Sequence, residues 1–162
     1  MKKPSLRTAD DVETILETYG DMLYRLCLIM LKNESDAEDA VQETMIRYYQ
    51  KAPAFASREH EKAWLIRVAT NKSRDLLRFR ARHQPMPEDA QEGMQQDFMD
   101  SGILEALTAV PEKYRLVLSL YYIEECRIED IAKIINRTSS AVKMRLQKGR
   151  KLLEEIYRKE YL

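Results

Sequence analysis

The chain has 162 residues, 27 lysines and arginines against 27 aspartates and glutamates, four glycines, five prolines and two cysteines. That length fits one domain or two small ones, and scarce glycine and proline beside abundant Leu, Glu, Lys, Arg and Ala favours helices over short-strand β architecture. Two cysteines, Cys27 and Cys126, without a C-x-x-C exclude a disulfide-dense scaffold and a cysteine-based zinc site, and suit a reducing compartment.

The amino end, Met1-Lys2-Lys3-Pro4, leads into no apolar run, so no signal peptide is expected. The longest apolar stretch, Leu26-Cys27-Leu28-Ile29-Met30-Leu31, is far short of the ~20 residues of a membrane span. The chain reads as soluble and cytoplasmic. Its net charge of zero hides segregation: residues 1–54 carry −3, 55–84 carry +5, 85–112 carry −7 and 113–162 carry +5. A basic patch is a local property, so a balanced total does not exclude nucleic acid.

The first helix is predicted over 10–31, where Val12, Ile15, Leu16, Tyr19, Leu23, Leu26 and Met30 recur at steps of three and four. Lys32-Asn33-Glu34 reads as a turn. Ser35-Asp36-Ala37-Glu38 matches a capping box that opens a second helix to about residue 51. Ala37, Ala40, Val41, Thr44, Met45 and Tyr48 form its inner stripe, and Asp36, Glu38, Asp39, Gln42 and Glu43 an acidic outer face. Ala52-Pro53 stops that helix. A loop over 55–60 leads to a third helix over 61–82. This helix carries apolar Trp64, Leu65, Val68, Leu76 and Leu77, and basic Arg67, Lys72, Arg74, Arg78, Arg80 and Arg82.

Residues 84–99, acidic and containing Pro85 and Pro87, read as a flexible linker between domains at 1–83 and 100–162. Beyond it, Ile103, Leu104, Leu107 and Val110 suggest a short helix. Pro111 suits the first position of the next, whose core face is Tyr114, Val117, Leu118, Leu120 and Tyr121. Ile128, Ile131, Ala132 and Ile135, the turn Asn136-Arg137-Thr138 and the stripe Val142, Leu146, Gly149, Leu153 and Ile156 then spell a helix–turn–helix, with Asn136 suited to left-handed backbone. The fold class is all-α, in two small helical domains.

The last helix carries Lys143, Arg145, Lys148, Arg150 and Lys151 and no acidic residue between 138 and 153. Such a helix lies in the major groove of DNA, where basic side chains meet phosphates and Ser, Gln, Lys or Met reach base edges. The bland alternative is a solvated basic face. Trp64, with Arg67, Asn71 and the loop 56–60, could stack on single-stranded nucleic acid beside a cationic groove; taken alone, it reads better as a core anchor. The acidic face of the second helix is either solvated or a docking site for a basic partner. No H-E-x-x-H, G-x-S-x-G or P-loop occurs. An enzyme, a cofactor, a metal and a small-molecule substrate are therefore not expected.

Taken in order, these segments resemble bacterial sigma factors of the extracytoplasmic-function type, over about residues 15–153. Asp36-Ala37-Glu38-Asp39-Ala40-Val41-Gln42-Glu43-Thr44 is similar to the family's polymerase-docking helix. Trp64-Leu65-Ile66-Arg67-Val68-Ala69-Thr70-Asn71 is similar to its promoter-opening helix. Pro111-Glu112-Lys113-Tyr114-Arg115, Ile131-Ala132 and Ala141-Val142-Lys143-Met144-Arg145-Leu146 resemble its carboxy-terminal helix–turn–helix.

The resemblance implies roles. Asp39, Gln42 and Glu43 would engage the clamp helices of the β′ subunit of core RNA polymerase, whose β subunit is a further partner. The loop 56–60 with Arg58, Trp64, Arg67 and Asn71 would capture a flipped base of the −10 element, an extrusion that costs a few kcal/mol. Arg74 and Arg78 would touch the backbone. Lys143, Met144, Gln147 and Lys148 would face the −35 element of promoter DNA, with Ser140, Arg145 and Arg150 on phosphates. An anti-sigma factor, often membrane-bound in the family, is implied as a partner. The family often places glycine in the turn where this chain has Glu124-Glu125-Cys126-Arg127 and in the central turn, where it has Asn136. The alternative is a helix–turn–helix regulator without polymerase docking, which leaves the Asp36–Thr44 helix unexplained.

Overall fold

The structure is a computed structural model and describes residues 7–83 and 102–161. The chain forms two compact units, Met1–Ala90 and Gln91–Leu162. The expected linker at 84–99 lies outside the described residues.

The first unit packs three helices, α1 (Ala9–Leu31), α2 (Glu34–Lys51) and α3 (Arg58–His83). Thr8 and Asp11 cap α1 reciprocally: the Asp11 N–H donates to Thr8 Oγ1 at 3.2 Å and the Thr8 N–H to Asp11 Oδ2 at 2.8 Å. The Thr8 N–H, and after it the Thr8 hydroxyl, hydrogen-bond the Asp11 carboxylate and hold that carboxyl below its usual range. The apolar face of α1 buries Ile15, Leu23, Leu26 and Met30, whereas Leu16, at its edge, is 46% exposed. Lys32 ends α1 in left-handed backbone, φ 56°.

The cap of α2 differs from the sequence reading. Asn33, not Ser35, is the N-cap, and its Oδ1 accepts from the Asp36 N–H at 2.9 Å. The left-handed Lys32 delivers Asn33 to the cap, so Ser35 already lies inside the helix. The inner stripe is as expected: Ala37, Ala40, Val41, Thr44, Met45 and Tyr48 are all buried. Asp36 joins them instead of the outer face; it is only 7% exposed and forms an ion pair with Arg80 of α3. The third helix starts at Arg58, three residues before the predicted 61, because Ser57 caps it, accepting from the His60 N–H at 3.2 Å. Arg58, Glu59 and His60 are therefore helical, and the loop is 52–57.

The second unit contains α4 (Gly102–Ala109), α5 (Glu112–Leu118), a π-helical turn (Ser119–Ile123), α6 (Ile128–Ile135) and α7 (Ser139–Tyr161). Pro111 sits one residue earlier than expected, as the N-cap of α5. The π-turn was not foreseen. Its wider winding keeps Ser119 and Leu120 buried but turns Tyr121, expected on the core face, out to solvent with Tyr122. Asn136 takes left-handed backbone at φ 56°, and the Arg137 N–H closes the end of α6 on Ala132 O at 2.9 Å. Thr138 caps α7, accepting from the Ala141 N–H at 3.1 Å.

Candidate polymerase and nucleic-acid interfaces

On α2, Glu38, Asp39 and Gln42 are exposed, and Glu43 is half-buried with Arg47 3.8 Å away. The outward line 39, 42, 46, 49 advances by three and four residues. It ends on Ile46 and Tyr49, which are 48% and 53% exposed. The sequence reading stopped at Glu43 and missed these two, although the same spacing already pointed to them. This face therefore combines carboxylates with an apolar end.

On α3, Trp64, Arg67, Asn71, Arg74 and Arg78 follow the same three-four rhythm, so they form one stripe about 21 Å long. Arg67, Asn71 and Arg78 are exposed, and Trp64 and Arg74 are half-buried. Asp75 stands 3.9 Å from Arg78. Arg58 is exposed in the first turn, off this line. Trp64 meets Phe55 edge-on at 5.8 Å and Tyr48 at 6.2 Å, while Tyr48 and Phe55 stack at 6.4 Å. The indole thus anchors to an aromatic cluster and keeps part of its surface open, which leaves room for both roles considered from sequence. Burial pushes the Tyr48 phenol up, and its hydroxyl donates to Glu61 Oε2 at 2.9 Å.

On α7, Ser140, Lys143, Met144, Gln147 and Lys148 are brought to one exposed face, with Met144 70% exposed. Lys151 continues it. Arg145 is half-buried toward α5. Arg150 turns to the π-turn and donates to the Tyr122 hydroxyl at 2.8 Å. Between α5 and α7 runs a groove of about 690 Å³ lined by Lys113, Tyr114, Ala141, Met144, Arg145, Gln147, Lys148 and Lys151. Four of these are cations and none is a carboxylate. Lys113 and Lys148 place their ammonium groups 5.0 and 5.6 Å from the centre of the Tyr114 ring. Burial pushes the Tyr114 phenol up, but hydrogen bonding and charge from Lys148 and Lys113 outweigh it and hold the phenol below the usual range. Gly149 permits this approach. A Cβ there would stand 3.1 Å from Leu118 Cδ1 and 3.2 Å from Tyr114 Cβ. The sequence places Tyr114 on the core face of its helix and Lys113 within a family-like segment, but not beside Lys148, because only the fold brings α5 against α7.

Burial drives the Cys27 thiol up to about 11, which makes it a core residue and not a nucleophile. Among the described residues no group of three or more His, Cys, Asp or Glu gathers as a metal site, and no helix is long and apolar enough to cross a membrane.

Comparison with known proteins bears on both units. Sigma-70 region 2 matches residues 15–83, and sigma-70 region 4 matches residues 101–153. The chain is 30% identical to the ECF RNA polymerase sigma factor SigW of Bacillus subtilis (strain 168), over 90% of this chain and 88% of that protein. It is 29% identical to the RNA polymerase sigma factor SigV of the same strain, over 100% and 99%. The fold is shared with CnrH, solved with the cytosolic domain of CnrY, at a TM-score of 0.74 and 21% identity, covering 94% of this chain and 91% of that one. It is also shared with the sigma factor RpoE of Bartonella quintana, solved with the anti-sigma factor NepR, at 0.73 and 21%, covering 94% and 99%. The region 2 match accounts for the unit that a stand-alone helix–turn–helix regulator would leave unexplained, and that alternative is set aside. The chain belongs to the extracytoplasmic-function sigma factors of the sigma-70 family, which direct core RNA polymerase to promoters for transcription initiation.

Proposed function

We propose that three surfaces divide the work of initiation. Asp39, Gln42 and Glu43 dock the β′ clamp helices, with Ile46 and Tyr49 as apolar anchors of the kind that dominate binding energy. The stripe Trp64, Arg67, Asn71, Arg74 and Arg78, with Arg58 and the loop before it, receives the −10 element. The face Ser140, Lys143, Met144, Gln147 and Lys148 reads the −35 element. Arg145 and Arg150 flank it, and Lys113 and Lys151 add phosphate contacts.

The observation that carries this reading is the sorting of charge: a carboxylate-free groove with four cations on the second unit and an acidic outer face on α2. The protein acts in the cytoplasm, carries out no catalysis of its own and needs no cofactor or small-molecule substrate. CnrH and RpoE were each solved with a partner, in RpoE's case an anti-sigma factor. By that likeness an anti-sigma factor, soluble or membrane-bound, holds this chain by covering its polymerase-binding surface.

The test is a pair of substitutions assayed for polymerase capture and promoter binding. Lys148→Ala should weaken −35 duplex binding and lower the salt slope by about one, leaving capture intact. Asp39→Ala should do the reverse. If Asp39→Ala captured polymerase normally, the docking assignment would be wrong. The free chain should bind promoter DNA poorly; tight specific binding without polymerase would contradict that.

A further inference from the structure

We infer that Arg7, just before α1, is a positioning residue for −10 recognition: it clasps the loop 52–57 onto the aromatic cluster of Tyr48, Phe55 and Trp64. The inference rests on the reading that this loop and Trp64 receive the −10 strand.

The geometry starts with the Thr8–Asp11 box, which fixes the direction of the chain entering α1. Arg7 is thereby aimed across the unit. Its Nη2 donates to the Pro53 carbonyl at 2.7 Å. The same guanidinium lies 4.9 Å from the centre of the Tyr48 ring and 5.7 Å from that of Phe55. One planar group therefore bonds the loop backbone and covers two rings, a combination lysine cannot reproduce. Phe55 in turn rests against Trp64. Ala54 and Ala56 are exposed and offer no side-chain anchor of their own. Without the clasp the loop would sample more conformations, and only the competent fraction would accept a base.

The test uses the full-length chain alone and in reconstituted holoenzyme. Trp64 is the single tryptophan, so acrylamide quenching of its fluorescence reports the cluster directly. The DNA probe is a single-stranded oligonucleotide carrying the −10 sequence of a promoter this factor selects in vitro, with and without one base changed. Arg7→Ala should raise Trp64 quenching and lower the matched-to-changed affinity ratio about tenfold, the effect of losing one charge-assisted hydrogen bond. Arg7→Lys should fall between. Asp11→Ala, which keeps Arg7 but loosens its aim, should move both readouts in the same direction. Polymerase capture and −35 duplex binding should stay unchanged.

Unchanged quenching and ratio in Arg7→Ala would overturn the inference. Loss of polymerase capture in proportion to the ratio would also overturn it, since Arg7 would then hold the whole unit together. If quenching rose but the wild-type holoenzyme did not discriminate the two strands, the base-capture reading would fall, and Arg7's part in it with it. The anchoring of the loop would remain.

Discussion

Replacing Glu125 with glycine should stabilise the second unit, against the usual direction of a glycine substitution. Glu125 is exposed, and its backbone is left-handed at φ 55°. Two bonds straddle it: the Glu124 N–H donates to Ser119 O at 3.0 Å and the Cys126 N–H to Leu120 O at 2.9 Å. The conformation is thus set by the exit from the π-turn and not by the side chain. A Cβ in left-handed backbone costs about 1–2 kcal/mol, while the greater freedom of glycine in the unfolded chain gives back about 0.4–1 kcal/mol. The net gain is about 0.5–1 kcal/mol, or about 3–6 °C in Tm for a unit of this size. Thermal unfolding followed by far-UV circular dichroism and by Trp64 fluorescence separates the units, because Trp64 reports only the first. Glu125→Gly should raise the transition that fluorescence does not see. Asn136→Gly, at φ 56°, is the control. Asparagine already tolerates this region, so the gain should be only a few tenths of a kcal/mol. A lowered Tm for Glu125→Gly, or equal gains at both sites, would refute the reasoning.

Three further outcomes follow from the packing. Gly149→Ala gains helix propensity of about 1 kcal/mol but drives a methyl to 3.1 Å from Leu118 Cδ1, an overpacking worth about 1–3 kcal/mol. Urea denaturation should show a net loss near 1 kcal/mol, with weaker −35 binding; a gain would mean α7 can move off α5 freely. Arg80→Ala should destabilise the first unit by about 2 kcal/mol. This is less than a fully buried pair, because Arg80 is 27% exposed and Asp36 also lies in the first turn of α2. A double-mutant cycle with Asp36→Asn measures the coupling, and a value near zero would contradict the pairing. Cys27 links stability to pH. Its folded pKa is raised to about 11 from 9.0, so between those values the unfolded chain releases a proton that the folded chain keeps. Its contribution is intact below pH 9 and is lost as pH rises through 11, a total of about 3 kcal/mol. Cys27→Ala should flatten that part of the pH profile, and a parallel profile would argue against it.

Helices with a strong apolar rhythm were legible in the sequence, since Ala37, Ala40, Thr44 and Tyr48 can lie on one face only if the segment is helical. What escaped depended on information the rhythm lacks. Ser35 and Asn33 are both good caps, and the left-handed Lys32 decides between them. The first turn of α3, Arg58-Glu59-His60, has no apolar residue to reveal its period. The π-turn has no residue signature and shows only in Tyr121 facing out. Asp36 looked solvated because its partner, Arg80, lies on another helix. At the candidate sites, single-helix faces such as that of α7 could be read directly. Composite features, Lys113 beside Lys148 or Arg7 on Pro53, needed the tertiary structure.

The first unit places an acidic face on α2 and a basic stripe on α3, and the distance between packed helices decides how strongly each feels the other. Packed helix axes lie about 8–10 Å apart, close to the Debye length of about 8 Å at physiological ionic strength. At that salt the α2 carboxylates weaken the attraction of the stripe for phosphate without cancelling it. Lowering the salt strengthens phosphate contacts but also lengthens the reach of the carboxylates, so the two effects oppose. The free chain should therefore show a shallower salt dependence than its exposed cations imply. A basic partner seated on Asp39, Gln42 and Glu43 would remove the opposing term. Under the docking proposed for that face, polymerase capture would be coupled to DNA affinity through charge, and the holoenzyme should show the steeper slope.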